Sequence, residues 1–107
     1  MTLAELFEEL MDDDVSPARS SPRSDGSIAW QLGGVDFSVV DPTGLAVSFR
    51  LDPELAAAAQ RTPDVSGSAL GPAWVRFQPA LLDDHAEDRA LAWFQAAHRR
   101  AATRAAS

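Results

Sequence analysis

Residues 27–51 carry two turn signals that point three successive apolar–polar alternations toward the same face, and this limits the fold more than any other feature of the chain. Ile28, Trp30 and Leu32 alternate with Ser27, Ala29 and Gln31. Gly33-Gly34 follows, the composition of a two-residue hairpin loop whose central residues both need positive φ. Val35, Phe37 and Val39 continue on the far side. A two-residue loop sets Leu32 opposite Val35, Trp30 opposite Phe37 and Ile28 opposite Val39, so all six share a face. Asp41-Pro42-Thr43-Gly44 is a second turn, with Pro preset for a central position and Gly at the left-handed one. It predicts pairs Val39–Val47, Phe37–Phe49 and Val35–Leu51. Agreement between two independent turns argues for a three-stranded antiparallel meander.

Helical periods flank this meander. Leu3, Leu6, Phe7, Leu10 and Met11 form one apolar stripe over residues 2–13, and Thr2 with Glu5 fits a capping box. Asp52-Pro53-Glu54 opens a second helix, which Thr62-Pro63 stops. Residues 83–104 predict a long third helix. Its acids gather at the start and its arginines at the end, as the helix dipole favours, and Ala86, Ala90, Trp93, Phe94, Ala97 and Ala101 line one side. The Ser-Pro steps at residues 16–17 and 21–22 predict a flexible loop over residues 14–26. Residues 64–72 read as a loop with a short edge strand around Ser68–Leu70, and residues 73–78 as a strand. The expected order is α-β-β-β-α-β-β-α. Residues 1–107 then make a single α+β domain, a two-layer sandwich of an antiparallel sheet with helices on one face.

Three short motifs resemble the MmcQ/YjbR-like family and the related N-terminal domain of TfoX-type competence regulators. They are Trp30-Gln31-Leu32-Gly33-Gly34-Val35-Asp36-Phe37, Val47-Ser48-Phe49-Arg50-Leu51-Asp52-Pro53-Glu54 and Gly71-Pro72-Ala73-Trp74-Val75-Arg76-Phe77. They are similar to that family's glycine hairpin, its strand–helix step and its last strand, and the likeness spans roughly residues 27–104. The resemblance implies a fold like that of type III secretion chaperones. It brings a DNA-binding label and no catalytic residue.

Charge and composition narrow the function classes. With 16 acidic and 9 basic side chains the net charge is -7, so phosphate backbones are repelled on average. All the bases are arginine, consistent with GC-rich coding. The lack of cysteine excludes disulfides, thiol catalysis and Cys-ligated zinc. No apolar run reaches the ~18 residues of a membrane helix, and the N-terminus lacks a secretory pattern, so no membrane association and a cytoplasmic location are expected. His85 and His98, thirteen residues apart on one helix, stand ~20 Å apart and cannot share a metal. The run Asp12-Asp13-Asp14 lacks a ligand loop and reads as a solvated helix end. Neither a metal nor a cofactor is expected.

Two surfaces remain as candidates. His98, Arg99, Arg100 and Arg104 form a basic end that suits an anion or nucleic acid. Ala29, Gln31, Ser38, Val40, Ala46, Ser48 and Arg50 would form the outer sheet face, flat and weakly polar, which suits a protein partner or a second copy in a homodimer. No acid–base–nucleophile set is visible. The expectation is a non-catalytic binding or regulatory module working through protein–protein contacts. The alternative is a DNA-associated transcription or competence regulator using the arginine cluster.

Overall fold

The computed structural model describes residues 2–13 and 16–105. The elements in chain order are α1 (Leu3–Asp13), β1 (Arg19–Pro22), β2 (Ile28–Leu32), β3 (Val35–Val40), β4 (Val47–Arg50), α2 (Pro53–Ala59), β5 (Val65–Ser68), β6 (Gly71–Phe77) and α3 (Asp84–Ala105). The strands form one antiparallel sheet in the order β1-β2-β3-β4-β6-β5. The fold is α+β as the sequence predicts, with one strand more.

That extra strand, β1, lies inside the segment read as a flexible loop. It pairs with β2 from Arg19–Gln31 to Pro22–Ile28. The signal for it is Asp25-Gly26, a favoured hairpin turn. Gly26 has φ +92°, and the Asp25 carboxylate accepts the backbone N–H and the hydroxyl of Ser27 at 2.8 and 2.6 Å. Those two bonds hold Asp25 below the usual carboxylate range. Pro22 is tolerated because β1 is a sheet edge. Asp14 and Val15, the start of the expected loop, lie outside the described residues. At the opposite edge, β5 covers Val65–Ser68 and not Ser68–Leu70, because Ala69 and Leu70 are spent in the turn to β6.

The hairpin loop is as expected, with Gly33 at φ +62°, Gly34 at φ +80° and Leu32 opposite Val35. Beyond Asp36 the expected register fails. A β-bulge adds one residue to β3, so Trp30 faces Ser38, Ala29 faces Val39 and Ile28 faces Val40. The β3–β4 register is also one residue off, because the second turn closes Asp41 on Ala46 at 3.0 Å and takes Leu45 into the loop, so Val40 faces Val47, Val39 faces Ser48 and Ser38 faces Phe49. Burial explains it. Phe37 and Val40 are an odd number of residues apart, so unbroken pleating would send one of them outward. With the bulge both are buried, while Val35 is 53 % exposed and Val39 is half-buried.

The helices cover the face that carries Trp30, Val40, Phe49, Val75 and Phe77. Phe7 of α1 stacks on Phe94 of α3 at 4.3 Å, and both meet Trp30 edge-on at 5.5 and 5.9 Å. Phe37 also reaches Phe94, at 5.4 Å. Ala86, Ala90 and Ala97 let α3 approach the sheet closely. Thr2 caps α1 by accepting the Glu5 N–H at 3.2 Å. Asp83 does the same for α3, accepting the Ala86 N–H at 2.9 Å. Among the described residues, no helix is long and apolar enough to cross a membrane.

Two stability measurements check this register. By urea denaturation, Trp30→Ala costs ~3–5 kcal/mol and Val40→Ala ~2, whereas Val39→Ala costs under ~1; equal costs at residues 39 and 40 would rule out the bulge. Ser38 is fully buried, and its hydroxyl has no hydrogen-bond partner among the described residues. An unpaired buried hydroxyl costs ~1–3 kcal/mol, so Ser38→Ala raises the urea midpoint.

Candidate anion site at the end of α3

The bulge splits one end of the sheet. Pairing of β3 with β4 stops at Ser38–Phe49. Beyond it, Val35 and Asp36 pair only with β2, while Arg50 pairs with Trp74 of β6 and the Leu51 N–H reaches the Ala73 carbonyl at 3.0 Å. The last turns of α3 close over the gap. The result is a cavity of about 270 Å³, walled by Leu32, Gly33, Val35, Asp36 and Phe37 on one side, Arg50 on the other, and Arg100, Ala101 and Arg104 above. A shallower concavity adjoins it and shares Arg100 and Arg104; Arg99 and Leu55 line that one.

Three arginines therefore meet here. The Arg100 side chain is only 9 % exposed, and its Nε donates to Asp52 at 3.1 Å. Asp52 is the N-cap residue of α2, yet its carboxylate makes no capping bond. The Nε of Arg50 is buried without a hydrogen-bond partner, and neither Arg50 nor Arg104 has an ion pair among the described residues. Burial, then the charges of Arg104 and Arg50, pull Arg100 below the usual arginine range, against the opposing pull of Asp52. Asp36 is the cavity's own carboxylate, and it is already engaged. Gln31 Nε2 donates to it at 2.8 Å, and Arg23 pairs with its other oxygen. The arrangement is a partly desolvated positive cluster beside an apolar wall, which can hold an anionic group by charge-assisted hydrogen bonds.

Of the four basic-end residues, Arg100 and Arg104 come together with Arg50, and Arg99 sits on the adjoining concavity. His98 does not join them. Its Nε2 lies 2.7 Å from the Ser16 hydroxyl oxygen, and its ring meets the edge of Phe37 at 5.6 Å. Ser16 also accepts the Ala18 N–H at 3.1 Å, so this contact ties the start of β1 to α3. The outer sheet face also differs from the expectation. Ser38 and Val40 are on the helix-covered side because of the bulge, and Ala29, Ala46 and Ser48 are buried. Only Gln31 and Arg50 of that set keep appreciable surface. The tip of the β5–β6 hairpin leans over this face, bringing the Ser68 hydroxyl to 3.2 Å from that of Ser48. Of the acidic run at 12–14, Asp14 lies outside the described residues; among those described, no cluster of three metal-ligating side chains occurs.

Replacing Ser16 by Ala removes its contacts with His98 and with the Ala18 N–H, together worth ~1 kcal/mol or more. Amide exchange in β1 is then roughly five-fold faster than in the parent, while exchange in β4 and β6 is unchanged. Equal exchange in β1 would show that the Ser16–His98 contact holds nothing in place.

No family model, curated protein or solved structure matches this chain.

Proposed function

We propose that the protein is a non-catalytic binding module that takes an anionic group at the end of α3. One observation carries this reading: the Arg100 side chain is recessed beside Arg50 and Arg104, and among the described residues the only carboxylate paired with any of the three is that of Asp52, on Arg100. Like charges held together at low exposure repel, and an anion relieves that repulsion. An acidic chain has carboxylates to spare, yet few stand here. A cytoplasmic protein or small molecule bearing a carboxylate or phosphate group is the partner this chemistry suits. The resemblance to MmcQ/YjbR-like and TfoX N-terminal domains fits a regulatory role of this kind.

Duplex DNA is the weaker reading. Arg99 and Arg104 are exposed, but Arg50 and Arg100 are recessed, and the net charge is -7. A rigid phosphate backbone reaches the first pair more easily than the second. The outer face gives little support to a flat homodimer, since most of its expected residues are buried.

The test is thermal denaturation at constant ionic strength. An anion at ten times its Kd adds ~1.4 kcal/mol, read as a rise in Tm, and Arg50→Gln removes the rise. A rise of equal size in Arg50→Gln would sink the reading. Fluorescence anisotropy with random-sequence duplex shows no binding tighter than ~100 μM at physiological salt. Low-micromolar binding that Arg99→Ala/Arg100→Ala/Arg104→Ala abolishes would make the DNA-associated regulator the better reading. Turnover of a p-nitrophenyl ester that Ser16→Ala abolishes would overturn the non-catalytic one.

A further inference from the structure

Resting on the anion reading above, we infer that the ligand is a small organic acid, a carboxylate head on a compact apolar body, and not a bare inorganic anion. Two features of the same cavity carry this. The first is the separation of chemistries within it. Arg50, Arg100 and Arg104 supply positive charge, while Val35 and Ala101 supply apolar wall in front of the buried Leu32 and Phe37. An inorganic anion would use the arginines and leave that wall wet. Val35 is 53 % exposed at the cavity mouth, an apolar side chain in water with an apolar partner still to gain. The second feature is size. About 270 Å³ is the room of roughly nine water molecules, below the usual range for drug-sized ligands. A chain or ring of about ten non-hydrogen atoms is the scale that fits. A peptide segment or a nucleic acid would have to leave most of itself outside.

Polar balance points to a carboxylate head. Asp52 already engages Arg100 Nε, and Asp36 stands on the rim with both oxygens occupied by Gln31 and Arg23. These two carboxylates oppose a highly charged dianion more than a monoanion. The guanidinium groups match a carboxylate or a phosphate alike, so the choice of a carboxylate rests on this charge balance. Arg50 and Arg104, which have no ion pair among the described residues, are the guanidinium groups left for it.

The experiment is an NMR titration of the ¹⁵N-labelled full chain. The probes are phenylacetate (head and body), acetate and inorganic phosphate (head alone), and phenylacetamide (body with a neutral head). Phenylacetate is expected to shift the amides of Leu32, Gly33, Val35 and Ala101 with a Kd at least ten-fold below those of the other three. Arg50→Gln and Val35→Ser each weaken it about ten-fold. Val35 is exposed, so its replacement leaves the fold intact, and an unchanged amide spectrum elsewhere verifies this. Phosphate or acetate binding as tightly as phenylacetate, or Val35→Ser without effect, overturns the apolar body and leaves the anion reading standing. Phenylacetamide binding equally overturns the charged head. No shift of these amides by any probe at tens of millimolar overturns both readings.

Discussion

A strand with Val35, Phe37, Val39 and Val40 cannot turn all four side chains to one face when successive residues alternate. Something must give, and the aromatic cluster decides what. Phe94 is shared between Phe7, Trp30 and Phe37, so the two helices and the sheet meet through one ring. Phe37 must point inward to complete that cluster, and Val40 must point inward to meet Ile28 and Val47. The bulge satisfies both. Its cost is one unpaired stretch of ladder and a buried serine hydroxyl at residue 38. Large aromatic burial is worth several kcal/mol, so the exchange is favourable.

The cavity is a by-product of the same choice. With the register that the second turn sets, an unbulged β3 would bring Asp36 opposite Leu51 and the ladder would run to its end. With the extra residue the ladder stops at Phe49, and the two strands part company at the end where α3 runs out. Arg50 then occupies a position that is neither core nor open surface. Ordinary packing of Phe37 thus sets the position of the arginine cluster more than 10 residues away in sequence. Altering the bulge would alter the site without touching a charged group.

The strand order of the meander, its first turn, the cap of α1 and the alanine stripe of α3 are legible because each rests on local spacing, whereas the second turn is one residue longer than its signal implies, with Leu45 in the loop. The hairpin at Gly33-Gly34 needs only positive φ at two residues. The bulge was not legible, since it follows from which of Phe37, Val39 and Val40 gain most by burial against helices distant in sequence. β1 was half legible: Asp25-Gly26 is a turn signal, but two prolines nearby argued for a loop, and only an edge position reconciles them. At the site, the arginines of α3 were found by their clustering. Strict alternation with Phe49 predicts Arg50 on the outer sheet face, and the splitting of the sheet that brings it to the cavity is a tertiary event. A sharper signal lay in the helix itself. Arg100 is seven residues after the half-buried Trp93 and prolongs that side of the helix with charge, while Arg104, seven after Ala97, is exposed.

Position, and not residue type, is therefore the informative part of the arginine pattern. A chain without lysine would carry arginine at any basic site, so the preference for guanidinium here says nothing about selection for bidentate recognition. Placing Arg100 on the inward side of a helix is different. Dipole compensation at a helix end is equally served by exposed residues such as Arg99, which costs no desolvation. Arg100 forgoes that solvation and gains one bond to an exposed carboxylate, a weak return for an isolated ion pair. The imbalance is removed once an anion shares the cavity, because each recessed guanidinium then trades lost water for a charge-assisted hydrogen bond. On the reading proposed above, occupancy of the cavity and stability of the α3–sheet contact are two readings of one free energy.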